Sequence, residues 1–391
     1  MAVAAAPAPA VEAPASVARP PGYYVRRRLL QNKPAMLGLG FILLCTLVAL
    51  LGYWVLPDNS PSANHGFAQL QKQPPGLHVR FLQRGQADSA QPVGNIFTTW
   101  WRGQDAPEEL PITSARVVPG PVDSVVVRPW SAPGTRPLAE QRLVLRDWVG
   151  SRPATSQGLR YTERTYWLGT DKAGRDELSR LLLGTRVSLG IGLVAVLISL
   201  ALGMAIGAVA GYVGGWVDSL LLGVMTVVWS IPGIMLVIAI SLALDSKGVW
   251  TSFVAVGLTM WVDVARVVRG QMLSLRSATF VEAGRVLGLT QSRLIWRHLL
   301  PNMTGPLIVL ATSNFAAAIL LEAGLSFLGL GVQPPAPSWG LMVNEGFQLL
   351  GTEAGLWLTL MPGLAISLLV LSFNLLGNGL RDAYDPKTPV G

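Results

Sequence analysis

Few residues that could carry catalysis or bind a metal stand at useful spacings in this sequence. The three histidines, His65, His78 and His298, are scattered, and no His-Glu-x-x-His zinc motif occurs. The single cysteine, Cys45, lies in an apolar run, which excludes an intrachain disulfide and a cysteine-based zinc site. The sequence contains no Gly-Lys dipeptide, so it lacks the Walker A loop that cradles nucleotide phosphates. We therefore expect no catalytic residue, no metal site and no bound cofactor.

Two acidic residues stand in otherwise apolar stretches, where ionisable groups often mark a transport path. Asp263 precedes Arg266 by three residues, the spacing of a local ion pair on a helix surface, at the cytoplasmic end of an apolar span. Glu322 stands at the end of a later span that is predicted to face the other side of the membrane. We expect a structural contact for each of them rather than proton or ion transport.

The segment from Thr279 to Asn302 has the pattern of two short amphipathic helices. Thr279 and Glu282 have capping-box spacing, which predicts a helix that begins at Phe280. One apolar face is predicted to contain Phe280, Ala283, Gly284 and Leu287. Gly288 provides a stop, Thr290 can cap a second helix, and Pro301 is expected to end it. Such a pair fits either a docking surface for another protein or a helix resting on lipid.

The composition indicates that membrane-spanning helices position these residues. Of 391 residues, 51% are hydrophobic and 13% are charged, about half the ~25% charged content of soluble domains. Six apolar stretches are long enough to cross a bilayer as helices, which takes about 20 residues. They are 37–56, 187–211, 219–244, 249–268, 303–321 and 356–380. We expect an all-α polytopic membrane protein with six transmembrane helices.

Basic residues beside the spans predict the topology. Arg26, Arg27, Arg28 and Lys33 precede the first span, and five arginines between 269 and 297 follow the fourth. By the positive-inside rule both termini are expected in the cytoplasm. Residues 1–25, rich in Ala and Pro, are predicted to be a disordered cytoplasmic tail, and 26–58 an N-terminal anchor helix. Lys172, Arg175, Arg180 and Arg186 oppose this assignment, but they end a long external loop, where the rule is weak.

Residues 59–163 differ in composition from the spans and are expected outside the cytoplasm. The runs HVRFLQR, NIFTTWWRG and DSVVVRPW are β-like and are separated by Pro and Gly. They favour a small β-rich insert between the first two spans, and an irregular loop is the alternative.

Glycine, proline and polar residues within the spans suggest packing and path positions. Gly203, Gly207 and Gly211 form a small-residue stripe suited to close helix packing. Pro232 and Pro362 are expected to kink their helices, and freed backbone carbonyls can then line a water-filled path. Candidate path residues are Ser230, Pro232, Asn374 and Asn378.

The segment at 279–302 resembles the EAA motif of ABC-importer permeases. It contains Glu282-Ala283-Gly284, then Gly288, then Leu300-Pro301, with Gly in place of the second Ala and His298 in place of the usual apolar residue. Three further stretches, 167–189, 322–340 and 374–386, resemble segments of the dipeptide/oligopeptide/nickel permease group. Their order, with an extra N-terminal span, is similar to that of the second, C-type permease of the pair, although the insert is longer than in most members.

This resemblance implies a fold, a function and partners. It implies a type I ABC importer permease fold over 164–387, with coupling helices near 279–300 that dock on an ATPase subunit. The implied coupling residues are Phe280, Glu282, Ala283, Gly284, Leu287, Gly288, His298 and Pro301. The implied partners are a second permease, two cytoplasmic ATPases that hold ATP and Mg²⁺, and an external substrate-binding protein.

The implied cargo is a di- or oligopeptide carried across the inner membrane, and the chain itself does no catalysis. A nickel chelate or modified peptide is the alternative cargo. A secondary transporter or a polytopic membrane enzyme is the alternative function.

Overall fold

The computed structural model describes residues 21–85, 95–119, 123–149, 158–245 and 248–385. The expected disordered tail lies mostly outside the described residues, but residues 21–25 of it belong to a helix. The helices are α1 Pro21–Gln31, α2 Lys33–Leu51, α3 Ile96–Arg102, α4 Leu145–Val149, α5 Glu177–Val213, α6 Gly215–Trp229, α7 Gly233–Ala243, α8 Val249–Thr259, α9 Trp261–Leu275, α10 Thr279–Val286, α11 Gln291–Leu294, α12 Leu300–Asn302, α13 Thr304–Phe327, α14 Trp339–Phe347 and α15 Glu353–Tyr384.

Within the described chain, five helical segments have the length and composition to cross a membrane. They are Lys33–Trp54, Glu177–Val213, Val249–Leu275, Thr304–Phe327 and Glu353–Tyr384. The pair α6–α7 provides a sixth crossing if it is counted as one span. The predicted stretch 187–211 is too short, because helix α5 begins ten residues earlier, at Glu177. Its early turns are polar, so hydropathy alone misses them.

The third predicted span is broken. Helices α6 and α7 meet at an angle of 93°. The break falls at Ser230–Pro232, where proline removes a backbone donor and favours extended backbone in the residue before it. Helix α15, in contrast, runs through Pro362 from Glu353 to Tyr384 without interruption.

Helix α5 packs closely against α9 through the predicted glycine stripe. Gly203, Gly207 and Gly211 are buried, and a Cβ atom on any of them would collide with α9. On Gly207 the collision would be with the carbonyl oxygen of Ala265. Because lipid removes the hydrophobic drive for helix association, this close backbone approach provides van der Waals contact instead.

A five-stranded antiparallel sheet lies between the first two spans in sequence, in the order β4-β3-β2-β1-β5. Its strands are β1 Leu77–Gln83, β2 Glu109–Val118, β3 Ser124–Pro129, β4 Gln141–Val144 and β5 Arg160–Tyr166. Alternation along β1 buries Phe81 on one face and Leu82 on the other, each in its own apolar cluster. The predicted strand-like run NIFTTWWRG is helical instead, as α3.

The sheet and the short helices α10–α12 lie at opposite ends of α5. Strand β5 leads into the first turn of α5, whereas the last turn contacts the segment before α10: Arg276 donates to the Gly211 carbonyl at 3.3 Å. Helix α5 has 37 residues, so it is ~55 Å long, well beyond the ~30 Å hydrocarbon core of a bilayer.

Candidate functional site

Helix α10 begins one residue earlier than the capping-box pattern predicts. Thr279 is its first helical residue, and Ala278 holds the N-cap position with no side-chain hydrogen bond. The predicted cap by Thr279 is therefore wrong. Ala278 has an extended backbone, so the entry turn forms without a capping side chain.

The end of α10 follows the sequence prediction closely. Gly288 has φ +75°, the left-handed conformation that glycine adopts without strain. The Leu289 N–H donates to the Gly284 carbonyl and the Gly288 N–H donates to the Arg285 carbonyl, both at 3.0 Å. These two bonds form a Schellman motif, which turns the chain sharply towards the second helix.

The apolar residues of α10 divide between two faces. Val281 and Gly284 point inward, and a Cβ atom on Gly284 would lie 2.8 Å from Cδ2 of Leu294 in the second helix. Phe280, Ala283, Val286 and Leu287 point outward, and Val286 and Leu287 are 88% and 80% exposed. The prediction that Gly284 shares the face of Phe280, Ala283 and Leu287 is therefore wrong. Glu282 is also exposed.

The second helix of the pair is capped as predicted but does not end at the proline. The Thr290 hydroxyl accepts from the Arg293 N–H at 3.4 Å. The chain then makes a π-helical turn over Ile295–Leu299 and continues through Pro301 to Asn302. His298 is half-buried in this turn, and its carbonyl accepts from the Asn302 amide at 2.7 Å.

The candidate path residues Ser230 and Pro232 lie at the bend between α6 and α7, beside a cleft of about 400 Å³. The cleft is bounded by residues from α6 to α9 and from α13. Its lining is apolar except for Thr259, Asp263 and the indole nitrogen of Trp229. Trp229 is 60% exposed at the end of α6.

Asp263 does not form the predicted ion pair with Arg266. Its Oδ1 accepts from Nε1 of Trp229 at 3.2 Å. The guanidinium of Arg266 lies 4.4 Å from the centre of the Trp229 ring and donates to the Thr226 hydroxyl at 3.4 Å. The tryptophan therefore occupies the space in which a local pair would form.

The depth of Asp263 also differs from the prediction. The span runs from Val249 to Leu275, which places Asp263 at its middle, ~18 Å along the helix from Leu275. Its side chain is exposed on the surface of the chain. A carboxylate at that depth facing lipid would be unfavourable by ~2.5–3.5 kcal/mol, so such residues normally face a polar cavity or a partner.

The other two path candidates lie elsewhere. Asn374 and Asn378 are exposed on α15, which packs on α2, α13 and α14, whereas α6 and α7 pack on α5, α8, α9 and α13. A second cleft of about 440 Å³ lies near the end of α15, with Arg381, Tyr384 and Asp385 in its lining. Within this chain the four candidates therefore form two separate groups.

A buried ion cluster at the sheet end of α5 is absent from the sequence predictions. Arg175 donates to Asp171 at 2.6 Å and to Glu345 at 3.3 Å. Arg180, which is fully buried, donates to Glu345 at 3.2 Å. Lys172 contacts Glu345 at 3.4 Å from the rim. The cluster joins Arg175 before α5 and Arg180 in its first turn to Glu345 of helix α14, 170 and 165 residues away. Six charged residues at 171–180, three of each sign, are the signal that sequence reasoning could have used.

Asp176 lies just outside α5 and caps it. Its Oδ2 accepts from the Ser179 N–H at 2.8 Å and from the Ser179 hydroxyl at 2.5 Å. Burial raises the pKa of Asp176 above its ordinary value, although both bonds from Ser179 oppose that shift.

Arg186 fastens helix α3 to the bundle. Its guanidinium lies 4.8 Å from the centre of the Trp100 ring and 5.3 Å from that of Trp101. It also donates to the Ala49 carbonyl at 3.0 Å. Trp101 is 62% exposed where α2 ends, which is the position expected for an aromatic residue at a membrane interface.

These features define a class: a polytopic helical membrane protein with a pair of short amphipathic helices at one end of its bundle. Among the described residues, no group of three His, Cys, Asp or Glu side chains could hold a metal ion.

The chain belongs to the family of binding-protein-dependent transport system inner membrane components, whose model matches residues 203–389. The N-terminal TM domain of oligopeptide transport permease C matches residues 21–75.

Relatives agree with this membership. The Bacillus subtilis oligopeptide transport system permease protein OppC is 38% identical over 57% of this chain and 72% of its own length. The Pectobacterium atrosepticum glutathione transport system permease protein GsiD is 41% identical over 57% and 73%. A chain of the inward-facing MetNI methionine ABC transporter is 18% identical, with a TM-score of 0.45 over 53% of this chain and 98% of that one.

Proposed function

We propose that this chain is a transmembrane subunit of an ATP-driven importer that carries di- or oligopeptides across the inner membrane. Family membership, together with an oligopeptide permease 38% identical to it, carries the proposal. The relative named for glutathione transport favours a second cargo, a modified peptide. The chain itself performs no catalysis, and a nickel chelate is a third cargo for the same path.

Both termini are proposed to lie in the cytoplasm. Arg26, Arg27 and Lys33 are exposed beside the first span, as the positive-inside rule requires. Arg28 donates to the Asp385 carbonyl at 2.7 Å, so α1 and the end of α15 lie on the same side of the membrane.

Two of the four basic residues that oppose this topology, Arg175 and Arg180, carry less weight once their contacts are considered. Arg175 and Arg180 are buried against Asp171 and Glu345. Their charge is largely compensated within the fold, so they carry little weight as free cations. The region of 59–163, which includes most of the sheet, is therefore proposed to lie outside the cytoplasm, between the N-terminal anchor of 26–58, formed by the end of α1 and by α2, and the permease domain of 164–387.

The outward face of α10 is proposed to dock on a cytoplasmic ATPase. Val286 and Leu287 are almost fully exposed apolar side chains on a rigid turn, next to Phe280 and Ala283. An exposed apolar cluster of this kind marks a binding surface for another protein. Glu282 and Gly288 frame the cluster, and Gly284, His298 and Pro301 shape the turn beneath it.

The proposed assembly has a second permease, two ATPases that hold ATP and Mg²⁺, and an external binding protein. Closure of the ATPases on ATP would move α10, and α5 lies directly behind it. The energy for transport would come from these partners.

The decisive experiment places a charge on the docking face. Leu287→Asp adds a carboxylate at a position that is 80% exposed, so the fold should tolerate it while the ATPase groove should not. Peptide uptake is expected to fall at least tenfold, and ATPase recovery after mild-detergent purification should fall with it. The matched control is Ser274→Asp, an exposed position on α9 outside the docking face.

Normal uptake by Leu287→Asp at normal protein level would refute the docking surface. Uptake that follows an ion gradient without any ATPase would replace the importer with a secondary transporter. Gly284→Asp is a poorer test, because its side chain would collide with Leu294 inside the pair.

A further inference from the structure

Three polar contacts join α6 to α9 in antiparallel register. Arg269 pairs with Asp218 at 2.5 Å, Arg266 donates to Thr226 at 3.4 Å, and Trp229 donates to Asp263 at 3.2 Å. These contacts follow one another from the ends of α6 and α9 that are proposed to face the cytoplasm to the middle of the span. The step at Asp263 is the one that opens onto the cleft at the bend of α6–α7.

Asp263 differs from Asp218 on α6 and Glu322 on α13 in having one carboxylate oxygen without a hydrogen bond to the described part of the chain. Asp218 is bound by two nitrogens of Arg269, and Glu322 is buried and accepts from Ser326 at 2.6 Å. Asp263 accepts through Oδ1 alone in the described part of the chain. Its exposed carboxylate therefore keeps capacity for a further donor.

The Trp229 ring is fixed beside this carboxylate. The indole N–H is held by Asp263, and one face of the ring is covered by Arg266 at 4.4 Å. The ring is nevertheless 60% exposed at the cleft. A carboxylate next to an open aromatic surface suits an ammonium group, which gains from both charge pairing and cation–π contact.

The volume and the lining of the cleft suit the part of a small peptide that follows its amino group. Its volume of about 400 Å³ falls within the range of ~300–1,000 Å³ typical of small-ligand sites. Ile231, Leu320 and Leu321 provide apolar lining.

From these contacts we infer that Asp263 and Trp229 form a mid-membrane subsite that receives the cationic α-amino end of the passing peptide. The inference rests on the proposed peptide-import function and names the residues in this chain that contact the cargo. Asp263 provides the charge, Trp229 provides the aromatic contact, and the apolar cleft takes the first side chain.

The test measures uptake by the complete importer in cells that lack other peptide permeases. The probes are trialanine and N-acetyl-trialanine, which differ in the positive charge at the amino end. Asp263→Asn is expected to reduce trialanine uptake at least tenfold and N-acetyl-trialanine uptake much less. Asp263→Glu should restore a substantial part of trialanine uptake. Asp105→Asn, the same change at an exposed position in the sheet region, should leave both rates unchanged.

Trialanine uptake by Asp263→Asn within twofold of wild type would overturn the inference. An equal loss for both peptides, with loss of the second permease on purification, would also overturn it, because Asp263 would then bind a cation of that subunit. If the wild-type importer takes up neither peptide, the proposed function itself fails.

A second measurement tests whether the position faces water. The chain has a single cysteine, so Asp263→Cys in a Cys45→Ser background gives a unique label site. A membrane-impermeant cationic thiol reagent should modify it, and trialanine should slow the modification of Trp229→Cys in the same background. Complete protection of Asp263→Cys in every transport state would overturn the inference.

Discussion

Replacing Glu345 by glutamine tests the buried ion cluster. Its side chain is 7% exposed and contacts Arg175 at 3.3 Å and Arg180 at 3.2 Å. The substitution keeps the shape but leaves Asp171 as the carboxylate that pairs with both buried arginines, with buried Glu177 also close enough to act on Arg180. Removing one partner of a buried charge pair typically destabilises a protein by ~3–5 kcal/mol, since the other charge stays buried without compensation.

The geometry argues for a loss within that range. Nε and Nη1 of Arg180 already lack a hydrogen-bond partner among the described residues, so this guanidinium depends strongly on Glu345. An effect of ~3 kcal/mol corresponds to more than a hundredfold in the unfolding equilibrium. Unfolding in mixed detergent micelles, followed by tryptophan fluorescence, would measure it.

A matched control comes from the surface of the sheet. Glu163 pairs with Arg80 at 2.9 Å, with side chains 73% and 57% exposed, and exposed pairs contribute only ~0–1 kcal/mol. Glu163→Gln should therefore change stability little. If Glu345→Gln lowers the free energy of unfolding no more than Glu163→Gln does, the reasoning is refuted. Adding Arg180→Met to Glu345→Gln should recover stability, because one charge of each sign is then removed.

Three further predictions concern packing, pH and the membrane interface. Gly207→Ala should destabilise the bundle by ~1–3 kcal/mol, because its Cβ meets α9, whereas Gly270→Ala has open space and should not; thermal aggregation of the two variants compares them. The pKa of Asp176 is raised by burial, so its stabilising contribution is complete below the ordinary value and is lost as pH rises through the raised one. Asp176→Asn should therefore stabilise the chain more at about pH 7 than at about pH 4, measured as the difference in melting temperature from wild type; an equal difference at both pH values contradicts this. Arg186→Lys should loosen α3, since an ammonium cannot stack on Trp100 as a guanidinium does, and the tryptophan emission should shift; unchanged emission contradicts it.

Sequence reasoning succeeded where a local pattern is sufficient. Continuous apolar runs locate the spans, and the cap at Thr290 and the stop at Gly288 follow from side-chain chemistry within a single turn. The stripe of small residues that begins at Gly203 also identifies the packing face of α5. These features depend on neighbours three or four residues away.

It failed where the neighbours are distant. Helical periodicity placed Gly284 with Phe280, but Gly284 stands at the edge of that face and turns inward because Leu294 of the next helix packs there. Asp263 was paired with Arg266 because nothing in the sequence indicates that Trp229, from another helix, lies between them. The ion cluster was missed because Glu345 follows Arg180 only after 165 residues.

The length of α5 restricts how the molecule can move. The helix is continuous over 37 residues, with the ion cluster holding its first turns and the segment that leads into α10 bonded to its last turn. It therefore acts as a stiff lever about 55 Å long. A tilt of roughly 5° about one end would shift the other end by about 5 Å, close to one helical turn. Movement of the α10 end of α5 and movement of its sheet end are thus parts of the same rotation.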